Sequence, residues 1–373
     1  LIAACVAHAL HDGYTDGLYA LLPAWQSQFG LSYAGLAIVR ALYYATMGGL
    51  QMPADRVLRG LSPRAALAAS TVVAATGFLV MAAPLGLAGL CLGLVVAGVG
   101  SSIQHPRGSL LVTQTYAASA RRPLGIYNFS GDLGKAAIPA AVALMLPILA
   151  WRPVAGLLSL LGLGVAAALL TLLRPRGMSA GPAATQATAR GGRSGFAWLM
   201  TIGAFDTATR MGYLLFLPFL IHGRGGGSAI VGLALALLFI GGALGKATCG
   251  WLGERVGVIG AVVATETATA ILIVATLLTP LGPTLLLLPL LGVFLNGTSS
   301  VLYGTVPELA PGGDHGRAFA LFYTAVIGSG GLAPIAYGAI ADHSSRTVGV
   351  LAAATTAALI VPMTLRLRRS LEP

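Results

Sequence analysis

The chain has 373 residues, of which 56% are hydrophobic and only 9% charged, where a soluble globular chain carries roughly 25% charged residues. With a mean hydropathy of +0.85, this composition excludes an ordinary soluble domain and makes an integral membrane protein the expected class. The net charge of +11 does not point to nucleic acid, because the basic residues sit scattered at the ends of apolar runs and no basic patch interleaves with aromatics.

A helix needs about 20 apolar residues to cross the hydrocarbon core. Turn and charge punctuation gives twelve such candidates, 1–28, 33–54, 64–83, 85–112, 121–148, 151–173, 196–221, 228–252, 258–279, 282–307, 316–340 and 347–367. The sequence opens at Leu1 rather than Met, as a trimmed chain would. Its first run is too long, and too polar at its centre, for the apolar region of a signal peptide. Cys5, Cys91 and Cys249 lie far apart in apolar runs without CxxC spacing, so neither a disulfide framework nor a zinc site is expected. Residues 174–195, RPRGMSAGPAATQATARGGRSG, cannot build a core and read as a polar linker. They divide the chain into two six-helix halves, 1–173 and 196–373.

Loop charges set the orientation. With the linker in the cytoplasm, fourteen arginines fall on that side and three (Arg152, Arg224, Arg346) on the other. The positive-inside rule then puts both termini in the cytoplasm.

Ten charges remain inside the spans. Five are acidic (Asp12, Asp16, Asp132, Asp206, Glu266) and five basic (Arg40, Arg107, Lys135, Arg210, Lys246). Each unpaired charge at a helix centre costs at least about 2.5 kcal/mol, so these residues are expected to line a cavity and mostly to pair. The first span concentrates them in AHALHDGYTDGLYALLPAW. There His8, Asp12 and Asp16 follow at i, i+4 and i+8 and share one helix face, with His11 about 100° around. A carboxylate in such a place is raised in pKa by burial and lowered by a nearby cation, so it can trade a proton for a cationic partner. Histidine titrates near neutrality and suits a relay. The plainer alternative has Asp12 and Asp16 pairing with Lys135 or Arg107 merely to hold helices together. In the seventh span Asp206 and Arg210 are i, i+4 neighbours that can pair within their helix, with Lys246 another partner. Glu266 reads as structural, paired with Lys246. Arg107, next to His105 and Pro106, suits an oxyanion. Tyr127, Asn128, Asn296, Tyr303 and Tyr323 add polar groups to the spans.

The halves repeat weakly. A shift of 195 residues lays Gly17 on Gly212, Pro23 on Pro218, Arg122 on Arg317, Pro139 on Pro334 and His11 on Asp206. A shift of 199 lays Asp55-Arg56-Val57 on Glu254-Arg255-Val256. Two six-helix halves in a parallel repeat describe the major facilitator fold. The loop pattern G-x-L-x-D-R-x-G-R of that superfamily has partial counterparts in QMPADRVLRG (51–60), with Gln51 in place of the first glycine, and GWLGERVG (250–257). On these residues the chain resembles the major facilitator superfamily over its whole length. GVGSSIQHPRGS (98–109), NFSGDLGKAAIP (128–139) and the polar first helix resemble the fosmidomycin-resistance branch. Asp132 and Lys135 depart from the usual efflux pattern of the fifth span.

The resemblance implies an all-α integral membrane protein of twelve transmembrane helices in two pseudo-symmetric six-helix bundles. It implies efflux of small, often anionic or amphiphilic compounds in exchange for protons, without a cofactor. The residues expected to couple protons are Asp12, Asp16, Asp206 and His11. Substrate contacts are expected from Arg107, His105, Asp132, Lys135, Tyr127, Asn128, Arg210, Asn296 and Tyr323. Asp55, Arg56, Glu254 and Arg255 are expected to latch the cytoplasmic side, though snorkelling charges at the membrane edge would look alike. An importing symporter of a small organic anion reads almost equally well, and His8, His11, Asp12 and Asp16 leave a divalent-metal carrier as a lesser alternative. An enzyme is not expected, since HExxH, GxSxG and a glycine-rich phosphate loop are all absent. The partners expected are a small-molecule substrate, protons and the lipid bilayer, with no nucleic acid. The expected setting is a bacterial-type cytoplasmic membrane, with the chain a monomer.

Overall fold

The computed structural model describes residues 1–58, 60–116, 121–172, 193–313 and 315–371. The linker 174–195 therefore lies outside the described residues, apart from its last three. Among the described residues are twelve α-helices: α1 (Ile2–Phe29), α2 (Tyr33–Gly49), α3 (Gln51–Val57), α4 (Pro63–Ala82), α5 (Gly86–Tyr116), α6 (Arg121–Met145), α7 (Trp151–Leu172), α8 (Arg193–His222), α9 (Ser228–Leu278), α10 (Leu281–Thr305), α11 (His315–His343) and α12 (Arg346–Leu371).

These helices do not map one to one onto the twelve expected spans. The second span is broken at Leu50 into α2 and α3. The eighth and ninth are joined in the 51 residues of α9, which bends at Gly257 with φ 76 and ψ 164. Only glycine adopts that backbone readily, so the DR-like motif ends on the one residue type able to turn the chain there. Eight spans are long and apolar enough to cross a membrane by length and composition. α1, α2, α6 and α8 are not among them. Charged side chains interrupt α1, α6 and α8, and α2 runs only 17 residues before its break.

The helices cluster into two units. In the first (Leu1–Gly30, Ile38–Ala183, Ser228–Gly232), α1 packs along α6 and α4 packs against α5 and α7. Small residues make the close approaches possible, as expected where lipid supplies no hydrophobic drive for helix association. A Cβ on Gly134 of α6 would run into the Ala9 carbonyl of α1, and one on Gly77 of α4 would meet the Gly93 carbonyl of α5 at 2.5 Å. In the second unit (Leu31–Ala37, Ala184–Gly227, Leu233–Pro373), α8 packs against α11 and α12. Its core includes Leu199, Ile202, Leu302, Phe322 and Ile360. The prolines matched by the repeat all lie inside helices, Pro23 in α1 and Pro218 in α8, Pro139 in α6 and Pro334 in α11.

The first turn of α2 belongs to the second unit. Ser32 Oγ accepts from Gly35 N at 3.1 Å, and Asp342 at the end of α11 accepts from Tyr33 N and Ala34 N at 2.8 and 2.9 Å. Three of the four N–H groups that an α-helix leaves unbonded at its start are thereby satisfied.

Candidate functional site

The polar stripe of α1 is buried. His8, His11, Asp12 and Asp16 are each at most 6% exposed. Helical spacing aims them at two different sets of partners.

One set belongs to α6. Asp12 Oδ2 lies 3.2 Å from Lys135 Nζ and 3.3 Å from His8 Nε2, and Lys135 Nζ lies 3.7 Å from Asp132 Oδ1. His8 Nδ1 is 2.7 Å from the Tyr127 carbonyl oxygen, and its ring stacks on the Tyr127 ring at 4.1 Å between centroids. The Tyr127 hydroxyl accepts from Gln104 Nε2 of α5 at 3.0 Å. Gly131 leaves the room for this cluster. A Cβ there would sit 2.6 Å from Asp12 Oδ2 and 2.7 Å from His8 Cε1.

The other set consists of hydroxyls. His11 Nδ1 lies 2.9 Å from Ser101 Oγ and His11 Nε2 lies 3.1 Å from Thr71 Oγ1. Thr71 gives its own proton to the Leu67 carbonyl at 2.8 Å, so it accepts from His11. Neutral His11 therefore carries its proton on Nε2, and Ser101 donates to Nδ1. Tyr43 of α2 donates to Ser101 at 2.7 Å, and its oxygen is 3.1 Å from Thr15 Oγ1. Asp16 is buried one turn beyond Asp12. Arg40 of α2 is buried too, its guanidinium 4.1 Å from the Tyr19 ring centroid and 5.2 Å from that of Tyr44.

The second unit holds a separate acidic site. Asp206 of α8 and Glu266 of α9 are both almost wholly buried and lie near each other and near Arg210. Thr298 of α10 lies beside Glu266, its hydroxyl donating to Thr265 Oγ1 at 2.8 Å. Arg210 Nη2 donates to Thr207 Oγ1 at 3.3 Å. Arg210 acts on Asp206, one turn away on the same helix, and Glu266 of α9 lies near both. Composition cannot show this, because 60 positions separate the two residues.

The remaining expected contacts are dispersed. Arg107 is buried on α5. Asn128 faces outward from α6, while its neighbour Tyr127 is buried in the α1–α6 cluster. Asn296 of α10 is buried against Gly242 of α9, its Nδ2 donating to the Gly292 carbonyl at 3.2 Å. Tyr323 is 45% exposed, with its ring 5.1 Å from that of Tyr303. Glu254 and Arg255 are exposed, the Arg255 guanidinium 4.9 Å from the Trp251 ring centroid. The side chains of Asp55, Arg56 and His105 lie outside the described ones. Sequence reasoning did not single out Tyr43, Thr71, Gln104 or Thr15. Ser101 and Gln104 were visible as polar residues within GVGSSIQHPRGS, but hydroxyls in spans usually bond their own helix backbone and carry little signal. Among the described residues, no group of three or more His, Cys, Asp or Glu side chains is placed to hold a metal ion.

No protein-family model and no curated protein matches the chain. Solved structures do. A bacterial homolog of the human lysosomal transporter Spinster, in inward-facing and occupied conformation, superposes with a TM-score of 0.74 at 16% identity, over 99% of this chain and 96% of that one. A POT family transporter in complex with a thioalcohol-conjugated peptide superposes with a TM-score of 0.80 at 13% identity, over 100% of this chain and 96% of that one. The POT structure in complex with 5-aminolevulinic acid matches equally. At such identities the likeness speaks for architecture, and the chain has the all-α membrane architecture of these transporters, the major facilitator fold.

Proposed function

We propose that the protein is a secondary active transporter that moves a small compound across the membrane by alternating access, coupled to protons. The single observation that carries this reading is the set of clustered titratable groups on spans: buried His8, Asp12 and Asp132 with half-buried Lys135 in one unit, and buried Asp206 and Glu266 near half-buried Arg210 in the other. Charges inside a bilayer are expensive. A merely structural span would not gather so many of them into clusters. The likeness of the fold to that of solved transporters supports the same reading.

In this scheme Asp12, Asp16, Asp206 and His11 take up and release protons. Arg107, His105, Asp132, Lys135, Tyr127, Asn128, Arg210, Asn296 and Tyr323 are the candidates for substrate contact. The direction we favour is efflux of a small anionic or amphiphilic compound in exchange for protons, as in the fosmidomycin-resistance branch. Asp55, Arg56, Glu254 and Arg255 then stabilise a state closed to the cytoplasm. The chain acts as a monomer in a bacterial-type cytoplasmic membrane with both termini inside, a placement supported by the arginine distribution.

The test uses purified protein in liposomes loaded with a pH-sensitive dye. A pH gradient is imposed and a panel of compounds, phosphonates such as fosmidomycin included, is added. Substrate-dependent proton flux that disappears in Asp16→Asn is the expected result. Substrate binding without any proton flux would remove proton coupling from the proposal.

A further inference from the structure

His8 lies near the start of α1. Its surroundings give it a specific chemistry. A backbone carbonyl can only accept, so the 2.7 Å contact of Nδ1 with the Tyr127 oxygen requires the proton on Nδ1. Neutral His8 would then present the bare lone pair of Nε2 to Asp12 Oδ2 at 3.3 Å. A lone pair facing a carboxylate oxygen is repulsive, and a proton between them turns the contact into a charge-assisted hydrogen bond.

Lys135 of α6 stands beside Asp12 and reaches Asp132, and His8 and Asp12 are both buried, where a charge is held best against a partner. Other groups among the described residues come from the neighbouring helices. α6 adds the Tyr127 ring and hydroxyl, α5 adds Gln104 on that hydroxyl together with its buried Arg107, and α1 itself adds Asp16.

We infer that His8 and Asp12 together form a one-proton binding site, in which the proton rides on His8 Nε2 against the Asp12 carboxylate and Lys135 sets how tightly it is held. The step is a proton transfer and nothing more. On loading, the Nε2 lone pair takes a proton and the imidazole becomes imidazolium. On unloading, the proton leaves to water and the pair returns to neutral imidazole and carboxylate. The inference rests on the proposed transport only for the use made of the proton, since its binding is measurable without any substrate.

The experiment is magic-angle-spinning NMR of the full chain, labelled with 15N-histidine and reconstituted in liposomes, with the His8 signals identified by their loss in His8→Gln. At pH 8 wild-type His8 is expected to show both ring nitrogens protonated. In Asp12→Asn the imidazolium fraction is expected to fall at least tenfold, leaving the Nδ1–H tautomer. Lys135→Met guards against a folding failure of Asp12→Asn, and because it removes the competing cation, its His8 imidazolium fraction at pH 9 is expected to exceed that of wild type. A His8 that is neutral at pH 8 with its proton on Nε2, or one whose protonation is the same in wild type and both variants, would overturn the site. If the site titrates as described yet His8→Gln keeps full substrate-driven proton flux, the role of His8 in carrying the transported proton is overturned while the transport reading stands. If no compound drives proton flux in wild type, the transport reading fails while the NMR result stands.

Discussion

Replacing Gly134 by alanine adds one methyl group at the tightest point between α1 and α6. The new Cβ would run into the Ala9 carbonyl oxygen and lie 2.5 Å from its carbon and 2.7 Å from the Ala9 Cα. Carbon atoms rest about 3.5–4.0 Å apart, so the helices must separate by roughly 1 Å. The obstacle is backbone, which has no rotamer to change. Overpacking of this kind costs about 1–3 kcal/mol, and the rigid neighbour puts Gly134→Ala near the upper end. The same separation lengthens the Asp12–Lys135 and His8–Tyr127 contacts, which span this interface at 3.2 and 2.7 Å. Two variants calibrate the effect. Gly17→Ala meets Ile138 Cγ2 at 3.2 Å, a side-chain methyl that can shift, and Gly125→Ala on α6 meets nothing within 4 Å. Within a helix, Gly→Ala in open space gains up to about 1 kcal/mol. Thermal unfolding in detergent, followed by tryptophan fluorescence, should rank the midpoints Gly125→Ala highest, Gly17→Ala next and Gly134→Ala lowest, with Gly134→Ala several degrees below wild type. Equal midpoints for Gly134→Ala and Gly125→Ala would refute the close α1–α6 approach and the cluster built upon it.

Three further outcomes follow from other contacts. Glu266→Gln replaces a buried carboxyl near Asp206 by an amide of the same shape, so its unfolding midpoint should stay close to wild type while substrate-driven proton flux in liposomes falls; unchanged flux would make Glu266 purely structural. Gly257→Ala forces an L side chain into a backbone region open almost only to glycine, at a cost of about 1–3 kcal/mol, visible as a lowered unfolding midpoint. Asp342→Ala leaves Tyr33 N and Ala34 N without their acceptor, and the loss of such a cap costs about 1 kcal/mol. Hydrogen exchange should therefore speed up at the first turn of α2 and nowhere in α12.

Reading the chain without coordinates was effective wherever a property repeats along it. Apolar runs of membrane-crossing length made the all-helical membrane class legible, because the bilayer thickness imposes a length on any helix that crosses it. The matched prolines all fall inside helices. The i, i+4, i+8 spacing put His8, Asp12 and Asp16 on one buried face, since a helix turns by a constant angle per residue. What tertiary structure alone decided is which partner each polar group meets. Lys135 against Asp12 was foreseeable as one pairing among several. The division of labour between His8, bonded into the α6 ion cluster, and His11, surrounded by hydroxyls of α4 and α5, depends on a 100° rotation set against neighbours whose positions no local pattern encodes. Glu266 of α9 lying near Asp206 of α8 is of the same kind. Helix periodicity is a property of the backbone and is written locally in the sequence, whereas a hydrogen bond between helices is selected by packing over distances along the chain that no periodicity spans.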